Sequence, residues 1–306
     1  MRLAISIPQR AGDGEFDPAS FRAYLARAEA LGFESAWTQE QVLGPTPRLS
    51  PIETMTYAAA CSDRLRLGCV VFVTPLHSPI HLAKSISTLD QLSRGRIEVG
   101  VGTGGRGRMF SAFGVDPNTL VARFNEGLQL MKACWTQPRI DFDGRFWQLD
   151  GAAMEPKPFQ KPYPRIWFGA NHPDALRRAV RHGDGFFGAG STTTAQFADQ
   201  VRTVRAELAK AGRDLASFPI AKRVYIAVDD DATRAREAMA AGLGDLYRGL
   251  GLPDLTPVAV FGPPAACVQG LREVAEAGAG LILLNPLFDE GRQMERLAAE
   301  VAPQLS

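Results

Sequence analysis

Short runs of apolar and β-branched residues alternate with longer stretches of helical period from one end of the chain to the other. This is the pattern of βα units that build a parallel sheet. Residues 3–7 read as the first strand, and the helix after it opens at Asp17 or Ser20, carries Phe21, Leu25, Ala28 and Leu31 on one face, and stops at Gly32. A strand at 33–38 leads to a helix over 51–61, and a strand at 67–73 leads through Pro75 and Pro79 to a helix over 80–92. The fourth strand, 97–101, precedes a glycine-rich loop and a helix over 119–135 with an apolar stripe at Phe124, Leu128 and Met131.

Residues 138–164 break the rhythm: IDFDGRFWQLDG alternates around Asp143-Gly144 like a hairpin, and MEPKPFQKPYP is a proline-rich connection. The alternation then resumes with strands at 165–169, 185–189, 221–228 and 281–284. Helices are expected over 174–181, 195–211, 232–250 and 264–277, with a last one after Asp289. Eight strands and at least eight helices predict an α/β fold, a (β/α)8 TIM barrel spanning 1–306 as one domain, with an insertion between the fourth and fifth strands. A doubly wound sheet would carry a glycine fingerprint after its first strand, and residues 6–11 have none. In a barrel, chemistry sits at the carboxyl ends of the strands.

Composition narrows the partners. With 34 Lys plus Arg against 33 Asp plus Glu, the net charge is +1, and without a basic block a nucleic-acid or anionic-membrane surface is not expected. No run approaches the length of a membrane span. The four cysteines, Cys61, Cys69, Cys134 and Cys267, have no metal-site spacing and read as reduced thiols. The start MRLAISIPQR lacks signal-peptide features, so the expected location is cytoplasmic.

Three loops at the expected barrel mouth can carry chemistry. The run 100–105 holds four glycines among six residues, which lets a flat ring or a phosphate approach the backbone. The run 188–194 places small residues and hydroxyls, Gly190, Ser191 and Thr192 among them, just before a helix. Such a helix start can bind an anion, or its hydroxyls can serve as plain N-caps. Gly169, Ala170 and Asn171 precede a second helix start on the same face, and Arg123 is a candidate counter-charge.

These residues resemble the luciferase-like, flavin- or deazaflavin-dependent oxidoreductases over nearly the whole chain. The resemblance rests on LGCVVFVTPLHSPIHLAKSISTLDQLSRGRIEVGVGTG at 67–104, SAFGVD at 111–116, ARFNEGLQLMKACW, FDGRFW, PKPFQKPYPRIWFGA and RHGDGFF at 181–187. It implies a homodimer, with the helices at 51–61 and 80–92 as the interface, and coenzyme F-420 or FMN bound across the carboxyl face without a metal. It also implies a bulged third strand with a non-prolyl cis peptide at Val71-Phe72 behind the ring. Gly102, Thr103 and Gly104 would line the ring or ribityl chain, and Ser191, Thr192 and the 169–171 backbone would hold the phosphate.

Two departures bear on the chemistry. Relatives commonly carry an acidic residue followed by His after the second strand, where this chain has Glu40-Gln41. A neutral amide cannot titrate near neutrality, so Glu40 is left as the acid/base candidate, with pairing to an arginine as its rival role. After the fourth strand, Arg106 and Arg108 stand where relatives often have Gly-Trp and an acid, leaving room for an anionic substrate or cofactor tail. His77, His81 and His172 fit structural loop roles, and His182 fits a helix C-cap.

The expected activity is hydride transfer between bound F-420 and a small-molecule substrate. The alternatives are an FMN monooxygenase supplied by a flavin reductase, a degenerate barrel that only binds cofactor, and a sugar- or phosphate-metabolising barrel without a flavin.

Overall fold

The computed structural model describes residues 1–10, 15–44, 46–105, 109–248 and 254–305. In chain order the elements begin β1 (Arg2–Ser6), α1 (Pro18–Ala30), β2 (Ser35–Thr38), α2 (Pro51–Ala60), β3 (Arg66–Val73), α3 (Pro79–Leu92) and β4 (Ile97–Gly102). A short α4 (Met109–Ala112) and the long α5 (Leu120–Thr136) lead to the antiparallel pair β5 (Ile140–Asp143) and β6 (Gln148–Ala152). Then follow β7 (Ile166–Gly169), α6 (Pro173–His182), β8 (Gly185–Gly188), α7 (Thr194–Lys210) and β9 (Ile220–Val228). The chain ends through α8 (Ala232–Leu246), β10 (Ala259–Gly262), α9 (Pro264–Glu276), β11 (Leu281–Asn285) and α10 (Glu290–Arg296).

Eight strands, β1-β2-β3-β4-β7-β8-β9-β11, pair in parallel and close on themselves, because β9 bonds to β8 on one side and β11 on the other. The fold is the expected TIM barrel, and β5 and β6 form the expected hairpin outside it. Local chemistry explains the helix starts. The Asp17 side chain accepts from Ala19 N at 2.9 Å and Ser20 N at 3.2 Å, with Pro18 in the first turn. Thr193 and Gln196 form a reciprocal capping box on α7.

Two expectations change. The helix expected over 232–250 stops at Leu246, and Leu250 lies outside the described residues. A further strand, β10, pairs Ala259↔Tyr225 through Gly262↔Val228 along the tip of β9. It was not anticipated because its four residues sit outside the closed ring and are only partly buried apart from Gly262. Among the described residues no helix is long and apolar enough to cross a membrane.

Alternation along the strands divides two cores. Outward side chains such as Leu67, Val99, Ile166 and Val224 pack under the helices. Inside the barrel, Trp37, Trp167, Phe187, Ala221, Leu281 and Leu283 form a plug, with the Trp37 and Phe187 rings 4.9 Å apart. Gly68 is required opposite Trp37, since a Cβ there would lie 2.3 Å from the indole. Beneath the plug, Glu98 accepts from Trp167 Nε1 at 2.7 Å and Arg66 Nε at 2.5 Å. The plug fills the barrel interior below the carboxyl face.

Candidate active site

The bulge in β3 shapes one half of that face. Cys69 pairs with Val99, and Phe72 resumes opposite Val101, so one extra residue is left out of the ladder. The cis peptide is Val70-Val71, one bond earlier than the expected Val71-Phe72. The reason lies in the register: Phe72 is already back in the ladder, fully buried under the helices and edge-on to His77. Phe72 is therefore not beside the cleft, and Val71 is.

The Val71 side chain stands over a floor without side chains. A Cβ on Gly102 would lie 2.7 Å from Val71 Cγ2, and one on Gly169 would lie 2.8 Å from Val71 Cγ1. These glycines serve close approach. Gly104 adds a left-handed backbone, with φ +72°. Together with Thr103, Ala170, Asn171, Gly188 and Ala189 they line a cleft of about 440 Å³.

A second depression, about 360 Å³, opens between the starts of α6 and α7 and shares Asn171 with the cleft. Ser191 and Thr192 line it, and neither is spent on capping, because Thr193 is the N-cap of α7. Gln200 Oε1 in the same depression is buried without a partner. Behind the loop lies Lys222, a buried lysine whose Nζ donates to the Ala189 carbonyl and, at 2.9 Å each, to Thr192 O and Thr192 Oγ1. Burial pulls its pKa down to about 7. Gly190 packs instead against Arg223 and Tyr225.

The remaining candidates are placed as follows. Glu40 is held on both oxygens: Oε2 accepts from Val73 N at 2.6 Å, and Oε1 lies 2.8 Å from His77 Nε2. Its partner is thus a histidine and the end of the bulged strand, not an arginine. Gln41 folds over Gly44, where a Cβ would overlap its amide. Arg123 stacks on the hairpin, 4.6 Å from the Trp147 ring and 5.5 Å from that of Phe146, and is not among the cleft residues. Arg106 and Arg108 lie outside the described residues.

The opposite half of the mouth was missed from sequence. Gln9 Nε2 donates to Gln39 O and Leu49 O, each at 2.9 Å, and Gln39 Nε2 donates to Asn285 Oδ1 at 2.8 Å. This amide network ties the ends of β1, β2 and β11. Arg48 hangs from it, and Arg223 rises from β9 beside the cleft. One signal was readable: Lys222-Arg223 is a charged pair in the middle of the otherwise apolar IAKRVYIAV.

A profile of the luciferase-like monooxygenase family matches residues 1–281. The chain belongs to the luciferase-like monooxygenase family. It is an oxidoreductase of that luciferase-like kind. An F420-dependent glucose-6-phosphate dehydrogenase of Beutenbergia cavernae is 28% identical, with 97% of this chain and 96% of that protein aligned. Among solved structures, an F420-dependent secondary alcohol dehydrogenase in complex with an F420-acetone adduct superimposes with a TM-score of 0.86 at 18% identity, covering 100% of this chain and 99% of that one. Monooxygenase RslO1 from Streptomyces bottropensis gives 0.85 at 22% identity over the full length of both chains. At these identities the solved structures speak for the fold. Within this luciferase-like frame, the bulge, the glycine floor and Arg178 meet in one cleft, which Arg223 also lines, and Arg48 and Arg10 lie with the amide network in a neighbouring depression.

Proposed function

We propose that this luciferase-like oxidoreductase transfers hydride between coenzyme F-420 and a small organic substrate. The observation that carries the reading is the floor beneath Val71: Gly102 and Gly169 have no room for a Cβ, and the cleft beside them is lined largely by backbone and small side chains. A flat ring system fits such a surface, and a phosphate-bearing tail fits the depression at Ser191 and Thr192. The F420-dependent relative aligned over nearly the whole chain supports F-420 over FMN.

When bound, the deazaflavin supplies two-electron hydride chemistry without activating oxygen. The chain supplies placement. Val71 would back the ring, and Gly102, Thr103 and Gly104, with the 169–171 backbone, would line it. Lys222 fixes the 189–192 loop through three hydrogen bonds. Glu40 holds the bulge in place through Val73 N, and a hydrogen is shared between its Oε1 and His77 Nε2. The plug of Trp37, Trp167 and Phe187 closes the barrel beneath and excludes water from below.

Titration of the purified protein with F-420 and, in parallel, with FMN tests the reading by fluorescence and absorbance. F-420 is expected to bind at least about tenfold more tightly, a difference of about 1.4 kcal/mol. A preference for FMN would replace the reading with a monooxygenase fed by a flavin reductase. Binding of neither would leave a degenerate barrel.

A further inference from the structure

The half of the mouth at the ends of β1, β2, β9 and β11 holds charge that hydride transfer as described leaves unused. Ile220, Val224 and Ile226 of β9 face the outer core, and Ala221 faces the plug. Arg223 therefore points inward, above the plug, and it lines the same cleft as Val71 and Gly102. Its Nη2 donates to Tyr225 Oη at 2.7 Å, and its Nε is buried without a partner. Arg48 is built alike: Nη1 donates to Gln39 Oε1 at 3.3 Å, and Nε is again buried and unpaired. Arg10 is bridged to Arg48 backbone to backbone. Among the described residues none of the three guanidinium groups makes an ion pair.

Crowding like charges in a half-buried site is unfavourable without a counter-ion. Burial lowers the pKa of Arg48, and Arg223 and Arg10 lower it further. The acid that feels this cluster is Glu290, yet burial pushes its carboxyl up to about 7 against the pull of Arg10 and Arg48. Near neutral pH it leaves the arginines incompletely compensated. Buried N–H groups with no acceptor among the described residues, on neighbouring guanidinium groups whose other bonds go to the neutral Tyr225 hydroxyl and Gln39 amide, describe a place for an oxyanion.

We propose that Arg223 and Arg48, with Arg10 behind them, form an oxyanion subsite for the substrate. The substrate is a small organic molecule with a carboxylate or phosphate group, held where Arg223 of the cleft neighbours Arg48, which lines a separate small depression with Arg10 and Glu290, and its reacting carbon lies in the cleft beside Val71. The network of Gln9, Gln39 and Asn285 sets the direction of Arg48, because Gln39 turns its amide nitrogen to Asn285 and its oxygen to Arg48. This inference rests on the neighbouring cleft being the cofactor site.

The test is calorimetric titration of the F-420-loaded protein with inorganic phosphate and, separately, with benzoate, in the wild type, Arg48→Met, Arg223→Met and Arg48→Lys. Saturable binding of one anion is expected, weakened about tenfold or more by either methionine variant and less by Arg48→Lys. In the Arg48 variants, whose side chain is not among the cleft residues, F-420 affinity should stay within about twofold. Tighter phosphate binding identifies a phosphorylated substrate, and tighter benzoate binding a carboxylate. Circular dichroism checks folding, and Arg48→Lys keeps the test decisive if a methionine variant does not fold. Two results overturn the proposal: no saturable anion binding to the loaded wild type, or F-420 affinity falling in step with anion affinity, which would give the arginines to the cofactor tail. If F-420 does not bind at all, the apoprotein is titrated instead. Anion binding that still depends on Arg48 would then sink the cofactor reading and leave the subsite standing.

Discussion

The two halves of the barrel mouth are built by opposite means. On the side of β3, β4, β7 and β8 the floor is backbone: Gly102, Gly104, Gly169 and Gly188 meet the cleft, His172 and Arg178 join its lining, and Lys222 is kept behind the loop it braces. On the side of β9, β11, β1 and β2 the surface is long polar side chains, locked by an amide network and topped by arginines. On the proposed reading the first half would select by shape, since a single Cβ would disturb it. The second would select by charge, since its N–H groups are fixed before any partner arrives. Neither half would hold its form without the plug beneath both.

That dependence gives the largest expected effect. Trp37 is 1% exposed and touches both Trp167 and Phe187, so Trp37→Ala should cost about 3–5 kcal/mol. Urea denaturation measures the loss, and both F-420 and anion affinities should fall with it. Loss of only one would show that the halves do not share this support. Next comes Gly169→Ala, whose new methyl would sit 2.8 Å from Val71 Cγ1 at a cost of about 1–3 kcal/mol. F-420 affinity should drop while Arg48-dependent anion binding stays nearly unchanged. Adding Val71→Ala should recover much of the loss in a double-mutant cycle, and an additive result would remove Val71 as the reason for the glycine.

The same contrast explains what could be read from the sequence. The barrel was legible because the switch between period 2 and period 3.6 repeats locally, and each βα unit carries its own evidence. The glycine half was legible for a related reason: 100–105, 169–171 and 188–192 are contiguous runs whose composition is itself the signal. The arginine half assembles Arg10, Arg48 and Arg223 from strand ends far apart in the chain, and only the inward face of β9 turns Arg223 toward the others. Glu40 reads from the sequence as the acid/base candidate with an arginine as its rival partner, whereas the structure pairs it with His77, which lies across a loop whose path no pattern encodes. The cis bond was placed one residue late because register, unlike the presence of a bulge, depends on where the ladder with β4 resumes.

The halves should also differ in their response to pH. Glu290 has a folded pKa raised from 4.5 to about 7. The folded state therefore holds the extra proton across that interval, and stability falls as pH rises through it. Lys222 has a folded pKa lowered from 10.5 to about 7. Here the unfolded state binds more protons, so stability rises with pH from about 7 toward 10.5. Urea midpoints measured across pH 5–9, an interval of about four units around these values, should show a shallow minimum near neutrality. Glu290→Gln should flatten the acid side and Lys222→Met the alkaline side, and a variant that moves the opposite limb would break the assignment.

The smallest effect belongs to Arg123, which marks where the shape-selecting half ends. Its guanidinium lies 4.6 Å from the Trp147 ring, with Nε buried and unpartnered, so its charge is engaged by the hairpin and does not reach the cleft. Arg123→Ala should cost about 0.5–1 kcal/mol through the lost cation–π contact and leave F-420 affinity within about twofold. A drop comparable to that in Gly169→Ala would mean that the bound cofactor extends over Trp147. The backbone-lined half would then include the hairpin, and Arg123 would belong to it.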